Sequence, residues 1–134
     1  MLNQQGGCLC GQLRYQLHGP LHDAGYCYCR LCQRASGAPA LAWLTIAVAS
    51  FRYTCGTPGI FASSTDYQRE FCPTCGTPVV FRKQQAAKTV DVTLCSLDNP
   101  DSVKPQYHIW TTSQRGWHHI GDNLPQYSDN GPDQ

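Results

Sequence analysis

Seven cysteines in three tight clusters constrain this chain more than any other feature. They read Cys8-Leu9-Cys10, Cys27-Tyr28-Cys29-Arg30-Leu31-Cys32 and Cys72-Pro73-Thr74-Cys75. Each cluster has metal-ligand spacing, so the fold must bring distant segments together if they share ions. A cysteine thiolate is a soft ligand that suits zinc, and a structural zinc closes with four protein ligands. Seven ligands make one closed four-thiolate site plus one three-thiolate site with an open position. An open position is what separates a catalytic zinc from a structural one.

The rest of the composition narrows the setting. A chain of 134 residues is expected to be one zinc-binding domain over 1–134, with its core from about 6 to 127 and a frayed tail at 128–134. Its formal net charge of +1, without a Lys/Arg run, gives no pull toward nucleic acid or a membrane surface. Twelve glycines and nine prolines favour short strands joined by turns. The start, Met1-Leu2-Asn3-Gln4-Gln5-Gly6-Gly7, has neither the basic residues nor the apolar run of a signal peptide, and no stretch is long enough to span a bilayer. A cytoplasmic protein is the expectation, and there clustered cysteines are more often metal ligands than disulfides. A secreted disulfide scaffold is the competing reading; an odd total of nine cysteines speaks against it.

Periodicity supplies the strands. Leu13, Tyr15 and Leu17 alternate with polar residues, which predicts a half-buried strand over 8–18 with Cys8 and Cys10 on one side of it. Residues 39–48 form an apolar, β-branched run and read as a buried strand. Phe51–Thr54, Pro78–Phe81 and Val90–Leu94 read as further strands, and Ile60–Ser64 with Tyr67–Phe71 as a hairpin. Gln33–Ser36 fits one helical turn stopped by Gly37, with Tyr28 and Leu31 packing the knuckle on the core. Cys55 and Cys95 have no partner at ligand spacing; Cys55 reads as a small core residue or a free thiol, and Cys95 as a small residue on a strand.

Spacing leaves the sharing of ligands open. Cys29 and Cys32 with Cys72 and Cys75 make a zinc-ribbon set, leaving Cys8, Cys10 and Cys27. Alternatively Cys8, Cys10, Cys72 and Cys75 close one site and leave Cys27, Cys29 and Cys32. The local run Cys27-x-Cys29-x-x-Cys32 favours the second partition, because three ligands can grip one ion without long-range help.

A resemblance separates the two. Gly7-Cys8-Leu9-Cys10-Gly11-x-Leu13-x-Tyr15, Cys27-x-Cys29-x-x-Cys32-x-x-x-Ser36-Gly37-Ala38-Pro39, Arg69-x-Phe71-Cys72-x-x-Cys75-Gly76, Leu97-Asp98 and His108-Ile109-Trp110 together resemble the glutathione-dependent formaldehyde-activating enzyme family, which includes the centromere protein V domain. The resemblance runs from about Gly6 to Tyr127. It implies an all-β fold of small antiparallel sheets organised around two zinc sites, with zinc-ribbon-like knuckles in a β-tent or sandwich. It implies a structural zinc on Cys8, Cys10, Cys72 and Cys75, and a catalytic zinc on Cys27, Cys29 and Cys32. The implied activity is that of a carbon–sulfur lyase, with glutathione as cosubstrate and formaldehyde or a thiol adduct as partner. One departure stands out: the family commonly has histidine where this chain has Tyr28. A proton or hydrogen bond given to substrate by that histidine would be missing here, and the substrate would then differ.

Other residues carry two readings each. Arg30 and Arg34 lie on a solvated face, or they clamp an anionic substrate beside a site made electronegative by its thiolates. His108 beside Trp110 reads as a hydrogen-bonded core residue ahead of an acid or base. His118 and His119, next to Trp117, line a pocket or sit in a loop, and Asp98 reads as a turn residue. Two other functions compete with the lyase: a non-catalytic zinc-binding interaction module, and a redox protein using Cys72-x-x-Cys75. The redox reading lacks an adjoining βαβ pattern.

Overall fold

The computed structural model describes residues 1–131. Among these residues, ten strands form two sheets. The smaller places β2 (Arg14–Gly19) between β1 (Leu2–Gly7) and β5 (Phe51–Cys55). The larger has the order β10-β3-β4-β9-β8-β7-β6, built from β3 (Leu21–Cys27), β4 (Leu41–Ala47), β6 (Gly59–Ala62), β7 (Tyr67–Phe71), β8 (Pro78–Lys83), β9 (Thr89–Thr93) and β10 (His108–Ile109). All pairings are antiparallel except β10 on β3. The all-β expectation holds, with one helix, α1 (Arg30–Ser36), which ends at Gly37 where the backbone N–H returns to Gln33 O at 2.7 Å. No helix among the described residues is long and apolar enough to cross a membrane.

Alternation along the strands decides which face does what. Leu44 and Ile46 of β4, Val80 of β8, and Val90 and Val92 of β9 point one way and pack with Tyr15, Leu17 and Phe51 of the smaller sheet. This shared core holds the two sheets together. Each fully buried aliphatic side chain in it contributes roughly 1.5–3 kcal/mol of burial. The intervening residues, Trp43, Thr45, Phe81 and Asp91, point the other way and floor a cleft. One register row crosses that floor as Phe61, Arg69, Phe81, Asp91, Thr45 and Asp23.

Several local expectations need correction. Cys8 and Cys10 are not on a strand: residues 8–13 form a turn in which Gly11 N–H returns to Cys8 O (3.2 Å), and β2 begins only at Arg14. Gly11 at φ 83° supplies the left-handed backbone that ends the extended run. Three strands were not legible, β1, β3 and the two-residue β10. The first is polar and glycine-rich with little buried surface, the second is interrupted by His22, Asp23 and Gly25, and the third is too short to show a period. Leu31 is exposed rather than packed on the core. The expected frayed end is tied down over its described part. Trp110 N–H donates to Asp129 O (3.0 Å) and Trp110 Nε1 to Asn130 Oδ1 (2.7 Å); residues 132–134 lie outside the described part.

Candidate metal centres and the cleft

The fold gathers the seven cysteines into two groups. The Sγ atoms of Cys8, Cys10, Cys72 and Cys75 lie within 4.8 Å of one another, as do those of Cys27, Cys29 and Cys32. Two turns build the four-cysteine group. In the first, Cys8 N–H donates to Leu13 O (3.0 Å) and Leu13 N–H to Cys8 Sγ (3.3 Å). In the second, Gly76 N–H donates to Cys72 O (2.8 Å) and Cys75 N–H to Cys72 Sγ (3.4 Å). Gly76 adopts φ 83°, as Gly11 does after the other pair. Thr77 joins the turns, accepting from Leu9 N–H (3.1 Å) while its hydroxyl meets Cys75 Sγ at 3.3 Å. Hydrogen bonding from Thr77 pulls the Cys75 thiol down to about 5, which favours the thiolate that a metal needs.

The geometry fits a tetrahedral thiophilic ion. Zinc–sulfur bonds of about 2.3 Å at tetrahedral angles place sulfurs roughly 3.8 Å apart. Cys8 and Cys10 sulfurs are 3.6 Å apart and those of Cys10 and Cys72 3.7 Å. Backbone N–H groups aimed at sulfur stabilise the charged form. The two cysteine groups could therefore hold two metal ions. Cys72 and Cys75 share their site with Cys8 and Cys10, which is unlike an isolated redox pair. All nine cysteines are free, with no disulfide among the described residues.

The three-cysteine group sits at the junction of β3 and α1. Cys27 ends β3, and Cys29 caps α1, its Sγ accepting from Cys32 N–H at 3.3 Å. Cys27 and Cys32 are buried and Cys29 half-buried. Hydrogen bonds from Cys27 and Cys32 hold the Cys29 thiol well below its ordinary value, and the positive charge of Arg69 adds to the shift. The Cys27 thiol is driven up by its hydrogen bonds to Cys29 and Cys32 and by burial. A bound cation would favour the thiolate form of all three.

This group opens onto the cleft, about 970 Å³ in volume and lined by Trp43, Tyr67, Arg69, Phe81, Lys83 and Lys88 among others. Arg69, from β7, brings a cation to the sulfurs. Its Nη2 is 3.9 Å from Cys32 Sγ, and its guanidinium lies 4.8 Å from the centre of the Phe81 ring. Its Nη1 is buried with no hydrogen-bond partner among the described residues. Arg30 instead bonds Gln33 Oε1 (2.7 Å), Arg34 lies in the last turn of α1, and neither lines the cleft. Arg69 stood in the sequence, in the segment before Cys72, but only the Phe61–Arg69–Phe81 register shows that it shares a face with the site.

Tyr28 faces away from the cleft. Its ring enters a separate cavity of about 430 Å³, also lined by Tyr26, Cys95, His108, His118 and Asp122. The hydroxyl meets His108 Nδ1 at 2.9 Å, and His108 Nε2 meets Asp122 Oδ1 at 2.9 Å. Tyrosine at position 28 thus removes nothing from the wall of the cleft. His108 is the hydrogen-bonded core residue that its position beside Trp110 suggested. His118 packs against Tyr28, and His119 lines the same cavity, apart from both cysteine groups. Asp98 does more than shape a turn: it accepts two hydrogen bonds from Arg14, one at 2.9 Å. Cys55 and Cys95 are exposed.

The fold has a structural relative. A crystal structure of a Rhodobacter sphaeroides protein from structural genomics shares 20% identity with this chain at a TM-score of 0.61, covering 91% of this chain and 98% of that one. No curated protein matches the chain. The profile of the family described as glutathione-dependent formaldehyde-activating enzyme matches residues 3–113, a span that takes in all three cysteine clusters, Arg69 and the floor of the cleft. On that match the chain belongs to the glutathione-dependent formaldehyde-activating enzyme family.

Proposed function

We propose that the three-cysteine group and its cleft form a zinc-dependent carbon–sulfur lyase site for glutathione-type thiol adducts, exemplified by S-hydroxymethylglutathione. The four-cysteine group is assigned a structural zinc. One observation carries the division of roles. Only Cys27, Cys29 and Cys32 line the large cleft, and their group offers three ligands where the other offers four.

Cys27, Cys29 and Cys32 would hold the zinc, which when bound would lower the pKa of an added thiol toward neutrality. The chain does the rest. Arg69 places a guanidinium beside the sulfurs and offsets the negative charge that three cysteine thiolates and a substrate thiolate accumulate. Trp43 and Phe81 give the reacting end apolar walls that limit water. Lys83 and Lys88 line the same cleft and offer cations to the carboxylates of a peptide thiol. In the forming direction the thiolate sulfur donates its electron pair to the formaldehyde carbon. A carbon–sulfur bond forms, and the carbonyl oxygen takes a proton from solvent to become a hydroxyl. The reverse reaction breaks that bond and regenerates thiol and aldehyde. A cytoplasmic setting, where glutathione is kept reduced, suits this chemistry.

The test is calorimetric titration of reduced glutathione into fully zinc-loaded protein, with S-methylglutathione as the blocked-thiol control. Saturable binding of the free thiol alone is expected. Equal binding of both, or of neither, would remove the open position from the account and favour a non-catalytic zinc-binding interaction module.

A further inference from the structure

Tyr28 lies between two cysteines of the three-cysteine group, yet its side chain is buried on the far side from the cleft. Three separate contacts hold it. Its backbone N–H donates to Ile109 O (3.1 Å). Its carbonyl accepts from Gln33 Nε2 (2.8 Å), a buried amide that also donates to Pro39 O (3.2 Å) and Ser113 O (3.0 Å). Its hydroxyl meets His108 Nδ1 at 2.9 Å. His108 is itself fixed. Its ring stacks on Tyr26 at 4.8 Å, and its Nε2 lies 2.9 and 3.1 Å from the two oxygens of Asp122. A carboxylate only accepts, so Nε2 carries the hydrogen; in the neutral ring Nδ1 is then an acceptor and the Tyr28 hydroxyl donates to it.

We propose that the Tyr28–His108–Asp122 chain is an orienting clamp for the metal held by Cys27, Cys29 and Cys32. The inference rests on the reading that this group holds an ion. Cys27 and Cys29 attach to the two ends of the Tyr28 residue, so rotation about its backbone dihedrals re-aims both sulfurs relative to each other. Fixing the tyrosine ring at its far end removes that freedom before metal arrives. Groups that orient ligands without touching the ion commonly contribute 10–100-fold in metal affinity. Tyr28, His108 and Asp122 are therefore positioning residues. None lines the cleft, and none belongs to the four-cysteine group.

Cobalt(II) titration of the full chain against a competing chelator tests the proposal, because four-thiolate and three-thiolate cobalt centres absorb at different energies. Wild type is expected to bind two ions. Tyr28→Phe, which keeps the ring and deletes only the hydroxyl, should weaken the three-thiolate centre by about 10–100-fold and shift its absorption bands. The four-thiolate centre should be unchanged. Asp122→Asn, at a partly exposed site, replaces the carboxylate partner of His108 with a neutral amide and should weaken the same centre. It should add little in the Tyr28→Phe background, since both act through one chain of hydrogen bonds. Unchanged affinity and spectrum in both variants would overturn the clamp. So would equal weakening of the two centres together with a lower melting temperature of the metal-free protein, which marks a merely structural role. Should Tyr28→Phe fail to fold, Asp122→Asn alone decides between these outcomes. A wild-type stoichiometry of one, with only the four-thiolate spectrum, would instead sink the two-metal reading on which the clamp depends.

Discussion

Arg69→Met is the sharpest test of the proposed chemistry, because it removes a charge while leaving an unbranched side chain to cover Phe81. Two unit charges at the 3.9 Å separation of Nη2 and Cys32 Sγ attract by roughly 4 kcal/mol at an effective dielectric of about 20. The full value does not apply to a substrate. Charge is spread over several sulfurs, and the cleft admits solvent. About half of it, ~2 kcal/mol, is the working figure, equal to roughly 30-fold in affinity for a thiolate. The Nη1 atom, buried and without a hydrogen-bond partner among the described residues, points to an arginine placed for a charge it does not yet meet. Reduced glutathione would be titrated calorimetrically into the zinc-loaded variant, with metal content measured in parallel. Arg69→Lys, which keeps the charge and loses the planar stack, should fall between the two proteins. If Arg69→Met retains full zinc and binds glutathione within twofold of wild type, the guanidinium is not the counter-charge and the electrostatic account fails.

The remaining predictions concern metal and stability. Cys29→Ser should lower zinc stoichiometry from two to one by elemental analysis while the fold, followed by circular dichroism, survives. Cys72→Ser should instead destabilise the whole chain, because Cys8/Cys10 and Cys72/Cys75 tie the two ends of the core together; a melting temperature matching that of Cys29→Ser would refute the separate roles. Glu70→Ala should cost about 3 kcal/mol by stranding Arg82, at the lower end of the range for a broken buried pair, since the arginine keeps some exposure. Near 2.1 cal/mol/K per residue over 134 residues, that is about a 10 °C drop in melting temperature. Burial pushes the Glu70 carboxyl up, but hydrogen bonds from Arg82, Gln68 and Tyr53 outweigh it and hold it below the ordinary range. A carboxyl depressed in the folded state contributes fully above its unfolded value of about 4.3 and loses that contribution as pH falls through the folded value. The gap between wild type and Glu70→Gln in acid melts should therefore close below that pH.

Much of this was legible in the residues, and what was not has a common cause. The strands at β2 and β9 announce themselves by alternation, β4 by a continuous apolar run, β6 and β7 by the polar turn between them, and the helical stop by Gly37. Local spacing also shows that Cys27, Cys29 and Cys32 can reach one point. Spacing cannot say which distant cysteine pair closes which site, because that depends on how the β1–β2 turn lies against the β7–β8 turn. The same limit hid Arg69. Arg30 and Arg34 are near the cysteines in sequence, whereas Arg69 is near only through the pairing of β6, β7 and β8. Tyr28 shows it at the scale of one residue. A tyrosine flanked by two ligands looks like part of the site until the parallel β10 pairing brings His108 to the back of β3 and draws the ring there. Weakly patterned strands such as β1 escape for a different reason: an edge strand with little buried area needs no apolar rhythm.

Charge explains why one chain would carry two cysteine sites with different fates. Four thiolates around a divalent cation leave a formal charge of −2, which backbone N–H groups and the Thr77 hydroxyl must offset; those donors are built into the two turns. Such a centre has no reason to take another anion. Three thiolates leave −1, and Arg69 brings the total to zero. A neutral centre beside an open cleft can accept one more thiolate at modest cost, and the net −1 that results has Lys83 and Lys88 in the same cleft. On the proposed reading, the difference between a staple and a reactive site is one ligand fewer and one arginine more. It follows that adding the missing ligand should convert one into the other. An Arg69→Cys variant whose thiol reached the ion would replace the counter-charge with a fourth thiolate, and should hold zinc more tightly while losing all response to glutathione.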